Sequence, residues 1–274
     1  MTSPARALRL CLLLVAAVLV ASACSAAADQ APPPEVRPFP ADAVADYQLG
    51  GAYRPADDVT VVVRDRTAPA DPDRYSVCYV NAFQTQPGDL GWWTKHHPTL
   101  LLRKGGRLVR DPGWPDEVLL DQRTAARRAA IVAVVARWFR ACARDGYAAV
   151  EPDNLDAWTR SKGLLTRRQT EATARALVRA AHDAGLAIAQ KNTPDLDGRA
   201  LGFDFAVAEE CEVYRECAAY TDVYGSAVVE VEYTDNGRRA YARACSERAG
   251  EHPIQLRDRD VLPRGARGHV SRHC

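Results

Sequence analysis

Eight short apolar runs in this sequence end at polar residues, and most of these residues are carboxylates. The end residues are Asp65, Asn81, Asp121, Asp153, Lys191, Glu210, Glu232 and Asp258. Polar residues solvate strand ends in many proteins, but solvation explains only one or two of them. Like charges that converge raise each other's pKa values, so a fold that gathers six carboxylates at one place indicates a functional site.

Paired carboxylates in different environments are typical of glycoside hydrolysis. One carboxylic acid protonates the leaving oxygen, while the other attacks the anomeric carbon or activates water. Aromatic side chains that can stack on sugar rings are also available, although each of them alone more often packs in a core. These side chains are Tyr79, Trp92, Trp93, Trp114, Trp158 and Tyr233.

Other kinds of chemistry find less support. The sequence has no Gly-x-Ser-x-Gly elbow, no phosphate-binding Gly-rich loop and no metal-like Cys or His pair, so we expect no cofactor and no metal. A Schiff base on Lys191, as in an aldolase-like barrel, is an alternative. The chain has 36 basic and 35 acidic residues, so we expect neither a nucleic-acid partner nor a polybasic membrane anchor.

The apolar runs that precede these polar residues are predicted strands. They cover residues 59–63, 76–80, 118–120, 148–150, 186–189, 203–208, 228–231 and 254–256. Helical apolar spacing predicts helices over 125–144, 167–184 and 241–249, with Thr166 as the N-cap of the second and Gly185 at its end. Continuous apolar strands that alternate with helices indicate a parallel sheet covered by helices.

This pattern predicts an α/β fold, a single-domain (β/α)₈ barrel over residues 43–274. The first crossover, residues 66–75, is too short for a full helix. An open doubly wound sheet is the alternative, but no Gly-rich loop follows its first strand. Because parallel barrels hold their active sites at the carboxyl ends of the strands, the polar end residues would meet at one mouth.

The N-terminal residues read as an export signal. Residues 1–23 have two arginines, a short apolar stretch and a small-residue end, which is typical of a signal peptide. Cys24 is a candidate for lipidation, and ordinary cleavage after Ala28 or an uncleaved anchor helix are the alternatives. Residues 24–42 are rich in Ala and Pro and are predicted to form a tether. We expect an extracellular protein, secreted or lipid-anchored, that touches a membrane only through such an anchor.

An even number of cysteines remains in the mature part of the chain. They are Cys78, Cys142, Cys211, Cys217, Cys245 and Cys274. In an oxidising compartment this count predicts three disulfides.

Several segments resemble a known family. They are WPDE (114–117), GYAAVEPDNLD (146–156), AHDAGL (181–186), QKN (190–192), DFAVAEEC (204–211) and VEY (231–233). From about residue 46 to the C-terminus the chain resembles glycoside hydrolase family 114, the endo-α-1,4-polygalactosaminidase-like proteins. The segment 81–87 departs from the family's usual pattern, which leaves the exact polymer open.

The resemblance implies a barrel that cleaves α-1,4-linked galactosamine or N-acetylgalactosamine polymers with two carboxylates. It places these on Asp153, as nucleophile, and on Glu210 or its neighbour Glu209, with Glu210 preferred as acid/base and retention as the favoured outcome. The other substrate-binding candidates are Asp65, Asn81, Asp121, Glu151, Asn154, Asp156, Lys191, Glu209, Glu232 and Tyr233. A non-catalytic carbohydrate-binding barrel at the cell surface is the alternative. We expect a monomer.

Three disulfide pairs are expected, one of them beside this site. Cys211 and Cys217 lie close together after the sixth strand and would clamp the loop that presents Glu210. Cys245 with Cys274 would hold the C-terminus, and Cys78 with Cys142 follows by elimination.

Overall fold

The structure, a computed structural model, describes residues 35–274. The predicted signal peptide (1–23), Cys24 and residues 25–34 of the predicted tether lie outside the described residues. Within the described part, no helix is long and apolar enough to span a membrane. Phe39, near the end of the predicted tether, stacks on Phe205 with ring centroids 4.8 Å apart and packs in the interior.

Eight parallel strands and one antiparallel strand form a single sheet, and two further strands form a separate hairpin. In chain order the strands are β1 (Ala45–Gln48), β2 (Val61–Asp65), β3 (Tyr75–Asn81), β4 (Arg103–Lys104), β5 (Arg107–Leu108), β6 (Ala149–Asp153), β7 (Ala187–Lys191), β8 (Phe205–Glu209), β9 (Val228–Tyr233), β10 (Ile254–Arg257) and β11 (Ser271–His273). The sheet order is β1-β2-β3-β6-β7-β8-β9-β10-β11, and β4 pairs with β5.

The sheet curls into a nearly closed barrel. The strand pairs from β1 to β10 are all parallel, and β11 adds to β10 in the antiparallel sense. At the seam, the Tyr47 N–H donates to the side-chain oxygen of Gln255 at 2.8 Å, and the Arg257 side chain donates to the Tyr47 carbonyl. The predicted (β/α)₈ barrel is confirmed.

Helices cover the outside of the barrel. They are α1 (Leu90–His96), α2 (Ala125–Arg144), α3 (Ala157–Arg160), α4 (Arg167–His182), α5 (Gly198–Leu201), α6 (Cys211–Tyr214), α7 (Ala218–Tyr224) and α8 (Arg239–Arg248), with short 3₁₀ helices at Pro98–Leu100 and Thr234–Asn236. Thr166 caps α4 as predicted, in a capping box with Gln169. The Gly185 backbone has φ +75, which permits the turn after this helix.

The strand assignment differs from the prediction at two places. The first barrel strand is β1, which was not predicted, while residues 118–120 form only isolated antiparallel bridges outside the barrel. The predicted short crossover therefore follows β2 rather than the first strand. No helix lies in residues 49–60 or 66–74, so the first two crossovers both lack one.

Within residues 35–274 there are three disulfides, and they match the predicted pairs Cys78–Cys142, Cys211–Cys217 and Cys245–Cys274. The first joins β3 to α2 on the outer face of the sheet. The second closes the turn that follows β8, and the third fixes the C-terminus to α8.

Candidate active site

The two-residue repeat of the strands decides which end residues face the barrel interior. Along β8, Phe205 and Val207 pack in the interior cluster, whereas Ala206 and Ala208 pack under the outer helices. Glu209 continues the interior series. The same repeat brings Asp65, Tyr79, Asn81, Glu151, Asp153, Lys191 and Tyr233 to the inside of the barrel.

Lys191 lies at the centre of this group. Its buried ammonium nitrogen is 2.8 Å from Glu151, 3.2 Å from Asp153 and 3.3 Å from Glu209. It also contacts the Tyr47 hydroxyl at 3.1 Å. Burial alone would lower the pKa of Lys191, but the carboxylates, Asp153 foremost, outweigh burial and raise its pKa well above the usual value. Lys191 is therefore a permanent cation shared by three carboxyl groups.

Asp153, at the end of β6, is held as a carboxylate. The Tyr79 hydroxyl donates to Oδ2 at 2.7 Å, and the Asn154 backbone N–H donates to Oδ1 at 2.7 Å. Burial raises the pKa of Asp153, but the ammonium group of Lys191 and these hydrogen bonds outweigh it, so the pKa lies below its usual value. An ionised carboxylate of this kind suits a nucleophile.

Glu209, at the end of β8, faces Asp153 across Lys191. Its carboxylate accepts hydrogen bonds from the Tyr233 hydroxyl and, at 3.1 Å, from the Asn192 side-chain amide. The Asn192 side-chain oxygen accepts the Glu209 backbone N–H at 2.8 Å, which fixes the end of the strand. The side chain is 22% exposed, so its carboxylate is open to a ligand.

The Lys191 contacts limit the separation of Asp153 and Glu209. Their nearest oxygens lie 3.2 and 3.3 Å from the same nitrogen, so they are no farther apart than the sum of these distances. That sum only reaches the lower end of the range of about 6.5–9.5 Å expected for inverting glycosidases. The geometry therefore accommodates the shorter spacing of about 5–5.5 Å that retention requires.

The chain turns sharply after each of the three strands that end at these residues. Asn154, Asn192 and Glu210 follow β6, β7 and β8 directly, and all have left-handed backbone angles, with φ of +67, +49 and +60. Such angles cost free energy in residues other than glycine and cluster at functional sites. The turn at Glu210 leads into α6, whose first residue is bound in the Cys211–Cys217 disulfide.

Glu210 itself lies at the rim, away from Lys191. Its Oε1 atom accepts hydrogen bonds from the Asn236 side-chain amide and from the Arg259 guanidinium. Arg259 also pairs with Asp235, so it forms a surface ion-pair cluster beside the mouth. Glu210 borders the cavity but is bound to a cation that does not contact Asp153.

A central cavity of about 410 Å³ opens above Asp153, Lys191 and Glu209. An adjacent groove of about 290 Å³ shares Glu209 and Glu210 with it. The exposed large hydrophobic side chains of the described residues are Trp114, 53% exposed, and Tyr214, 65% exposed. Trp114 borders the cavity and Tyr214 borders the groove, so a stacking surface lies on each side of Glu209.

The remaining predicted ligands occupy different depths. Asp65, Asn154 and Tyr233 line the cavity, and Asn81 lies just behind it as a partner of Asn154. Asp156 lines the adjacent groove and pairs with Arg160. Glu151 is fully buried beneath Lys191, and burial raises its pKa to about 7.

Two predicted ligands lie elsewhere, and both predictions are corrected. Asp121 follows no barrel strand and pairs outside the cavity with Arg123 and Arg127 at 2.7 and 2.8 Å. Glu232 is on β9, but its side chain faces outward, where its Oε1 accepts the Glu212 backbone N–H at 2.9 Å. The strand repeat places Tyr233, not Glu232, at the mouth.

Glu117 is a carboxyl group of the cavity that was not among the predicted ligands. Glu117 directly precedes Val118, which forms an isolated bridge with Arg110, and its side chain borders the cavity. Burial raises the pKa of its carboxyl to about 7. Glu117 belongs to the WPDE segment, one of those that carry the family resemblance, and this segment could have indicated it. It was not selected because no predicted strand ended there.

The Trp92 and Trp93 side chains are not part of the mouth. They pack against each other and against Trp138, with Trp93 buried. Trp158 lines the adjacent groove. Asp258 accepts backbone N–H groups of Leu262 and Val270 and fixes the loop after β10.

A parallel barrel with two carboxylates at one mouth is typical of barrel glycosidases. The sequence profile of glycoside-hydrolase family GH114 matches residues 25–274. The chain therefore belongs to glycoside hydrolase family 114, as the resemblance implied, and is a glycoside hydrolase. A search of curated proteins gave no match.

Solved structures show the same fold. The structure is similar to Aspergillus fumigatus Ega3 in complex with galactosamine, with a TM-score of 0.68 and 18% identity over 89% of this chain and 100% of the other. It is also similar to the glycoside hydrolase domain of PelA from Pseudomonas aeruginosa, with a TM-score of 0.55 and 15% identity over 83% of this chain and 98% of that domain.

Proposed function

We propose that this protein hydrolyses an α-1,4-linked polymer of galactosamine or N-acetylgalactosamine, with Asp153 as nucleophile and Glu209 as acid/base. The observation that carries the proposal is that both carboxylates contact Lys191 at the floor of an open cavity. Membership of family 114 and the galactosamine bound to the similar protein Ega3 support the sugar class.

The mechanism uses the two carboxylates in turn. The Asp153 oxygen attacks the anomeric carbon while the Glu209 carboxyl gives its proton to the leaving glycosidic oxygen. The glycosyl ester on Asp153 is then hydrolysed by a water whose proton returns to Glu209. Lys191 and the Tyr79 hydroxyl hold Asp153 ionised, so it is ready for the first step.

Glu209 fits the acid/base role better than Glu210. Glu209 continues the inward series of β8 and shares Lys191 with Asp153. The Glu210 carboxylate is instead bound by Arg259 and Asn236 at the rim.

The shape of the mouth favours attack within a polymer. The cavity and the groove extend on both sides of Glu209, each with an exposed aromatic ring. Aromatic faces stack on the apolar faces of sugar rings, so bound residues can occupy both sides of the scissile bond. This arrangement is typical of an endo-acting enzyme.

The test is product analysis on galactosaminogalactan, in acetylated and de-N-acetylated forms. We expect new reducing ends and short oligosaccharides from at least one form, with none from Asp153→Asn. Binding of the polymer without any new reducing ends would overturn the proposal and would indicate a carbohydrate-binding barrel instead.

We also propose that the protein is exported and acts as a monomer. Three disulfides in the folded domain support an oxidising compartment. Mass spectrometry of the N-terminus of the mature protein distinguishes a lipid-anchored, a freely secreted and an uncleaved protein. An acylated Cys24 would show a lipid anchor, a start near Asp29 would show free secretion, and an intact residue 1–23 segment would contradict cleavage.

A further inference from the structure

Glu117 is a buried carboxyl group with one oxygen already held in place. The residue is 6% exposed. Its Oε2 atom accepts hydrogen bonds from the side-chain amides of Asn81 at 2.9 Å and Asn154 at 3.4 Å. Its Oε1 atom accepts none from the described residues, and the side chain lines the central cavity. The free oxygen is thus presented to a ligand.

No cation of the described chain neutralises Glu117 at ion-pair distance. Arg160, whose charge acts on Glu117, is itself paired with Asp111 and Asp156. Lys191 is shared by the carboxylates at the cavity floor. A buried carboxylate without a cation is costly, and a ligand that brings a positive charge removes that cost.

Glu117 lies beside the proposed nucleophile. Asn154 joins the two, because its backbone N–H donates to Asp153 while its side-chain amide donates to Glu117. Asn81, the other partner of Glu117, is paired in register with Asp153 across β3 and β6. Glu117 and Asp153 are thus linked through Asn154 and line the same cavity.

We propose that Glu117 binds the C2 ammonium group of the sugar whose anomeric carbon meets Asp153, and so selects residues with a free amine. The inference rests on the proposed function and adds to it the acetylation preference. Other cavity carboxylates are less available. Asp65 accepts hydrogen bonds from Thr67 on one oxygen and from Gln86 on the other. Glu209 is already paired with Lys191, and Glu210 is already paired with Arg259.

The burial of Glu117 strengthens the selection. Its carboxyl has a pKa of about 7 in the free protein, so ionisation is easily driven by a bound ammonium group. An N-acetyl group brings no charge and is bulkier, and it would leave the buried carboxylate uncompensated. The free-amine substrate should therefore bind more tightly than the N-acetylated substrate, and the difference should arise at Glu117.

The experiment compares kcat/KM for fully de-N-acetylated and N-acetylated α-1,4-galactosamine oligosaccharides of equal length. For Glu117→Gln we expect a loss of about 10- to 100-fold on the free-amine substrate, the size of one hydrogen bond to a charged group, and less than a threefold change on the acetylated one. Glu117→Asp, which keeps the charge, should recover part of the loss. Asp116→Asn removes the same charge from the exposed neighbouring residue and should leave the ratio unchanged.

Equal losses of Glu117→Gln on both substrates, or an unchanged ratio, would overturn the inference while leaving the proposed function standing. No cleavage of either substrate by the natural protein would instead overturn the proposed function. If Glu117→Gln does not fold, competitive inhibition of the natural protein decides. Galactosamine should inhibit at least tenfold more strongly than galactose, and equal inhibition would overturn the inference.

Discussion

Three carboxyl groups share the single ammonium group of Lys191. Glu151 lies beneath it, and Asp153 and Glu209 lie on the side of the cavity. Glu151 also accepts the Tyr47 hydroxyl at 2.7 Å, and its second oxygen has no partner. The charge of Lys191 therefore decides whether Asp153 can remain ionised in a buried place.

Replacing Lys191 should move the pH dependence of hydrolysis. In Lys191→Met, burial is no longer opposed by a cation, so the pKa of Asp153 rises and the ionised fraction falls on the acid side. We expect kcat/KM to fall by about 100-fold and the acid limb of the profile to move to higher pH. Lys191→Arg is the charge-preserving control. An unshifted acid limb in a folded Lys191→Met protein would contradict this role.

At the residue scale, the sequence predicted the kind of chemistry but not every position. Asp153, Lys191 and Glu209 were all among the candidates. The choice between Glu209 and Glu210, and between Tyr233 and Glu232, depends on the two-residue repeat of β8 and β9. That repeat was present in the sequence, because Phe205, Val207 and Glu209 alternate with small outer residues. Fully apolar strands hide this alternation, since both of their faces are buried.

Glu209 is the last residue of β8, and a sharp turn follows it directly. Here the left-handed Glu210 and the short helix α6 change the chain direction within a few residues. The Cys211–Cys217 disulfide, with a sequence separation of 6, closes this turn. Cys78–Cys142, with a separation of 64, joins β3 to α2 and lies outside the mouth.

The two disulfides should differ in their effects on stability and on activity. Loop-closure entropy predicts a loss of about 4 kcal/mol in unfolding free energy for Cys78→Ser/Cys142→Ser and about 2 kcal/mol for Cys211→Ser/Cys217→Ser. Only the second should lower kcat/KM, by severalfold, because it frees the turn beside Glu209. Urea unfolding and hydrolysis rates on the same samples measure both. Equal activity of the two variants would argue against the clamp.

At the element scale, the predicted helices and most strands were found because their periodicity is strong. β1 was missed because its sequence, ADYQ, contains two polar residues that face the seam network with Gln255 and Tyr53. Residues 118–120 are apolar because they pack in the outer core, not because they form a barrel strand. Tertiary contacts, which no local pattern contains, decide both cases.

At the scale of the whole molecule, burial raises the pKa of three carboxyl groups to about 7 among the described residues. They are Glu117, Glu151 and Glu232. Between their usual pKa and about 7 the folded protein holds these protons more tightly than the unfolded chain does, so their contribution to stability is lost as pH rises. Asp46, Asp121, Asp153 and Glu212 have lowered pKa values, and their contribution is lost on acidification instead.

The free energy of unfolding should therefore be higher near pH 5.5 than near pH 8. These two pH values are about 2.5 units apart and lie on either side of the pKa of about 7 that the three carboxyl groups have in the folded protein. Glu232→Gln should stabilise the protein at pH 8 by on the order of 1–2 kcal/mol and reduce this difference, because it removes a buried charge. Since Glu232 faces away from the cavity, kcat and KM should not change. The same pH difference in the variant, or a raised KM, would contradict the outward placement of Glu232.

The central claim is that Asp153 and Glu209 form the catalytic pair, and azide rescue tests it most directly. Asp153→Ala, Glu209→Ala and Glu210→Ala are assayed with and without azide on one α-linked dinitrophenyl glycoside, whose leaving group needs no proton, and the anomer of each glycosyl azide is determined by NMR. We expect an inverted β-azide from Asp153→Ala, a retained α-azide from Glu209→Ala, and substantial hydrolysis without azide from Glu210→Ala. An inactive Glu210→Ala that azide rescues, beside an active Glu209→Ala, would contradict the claim.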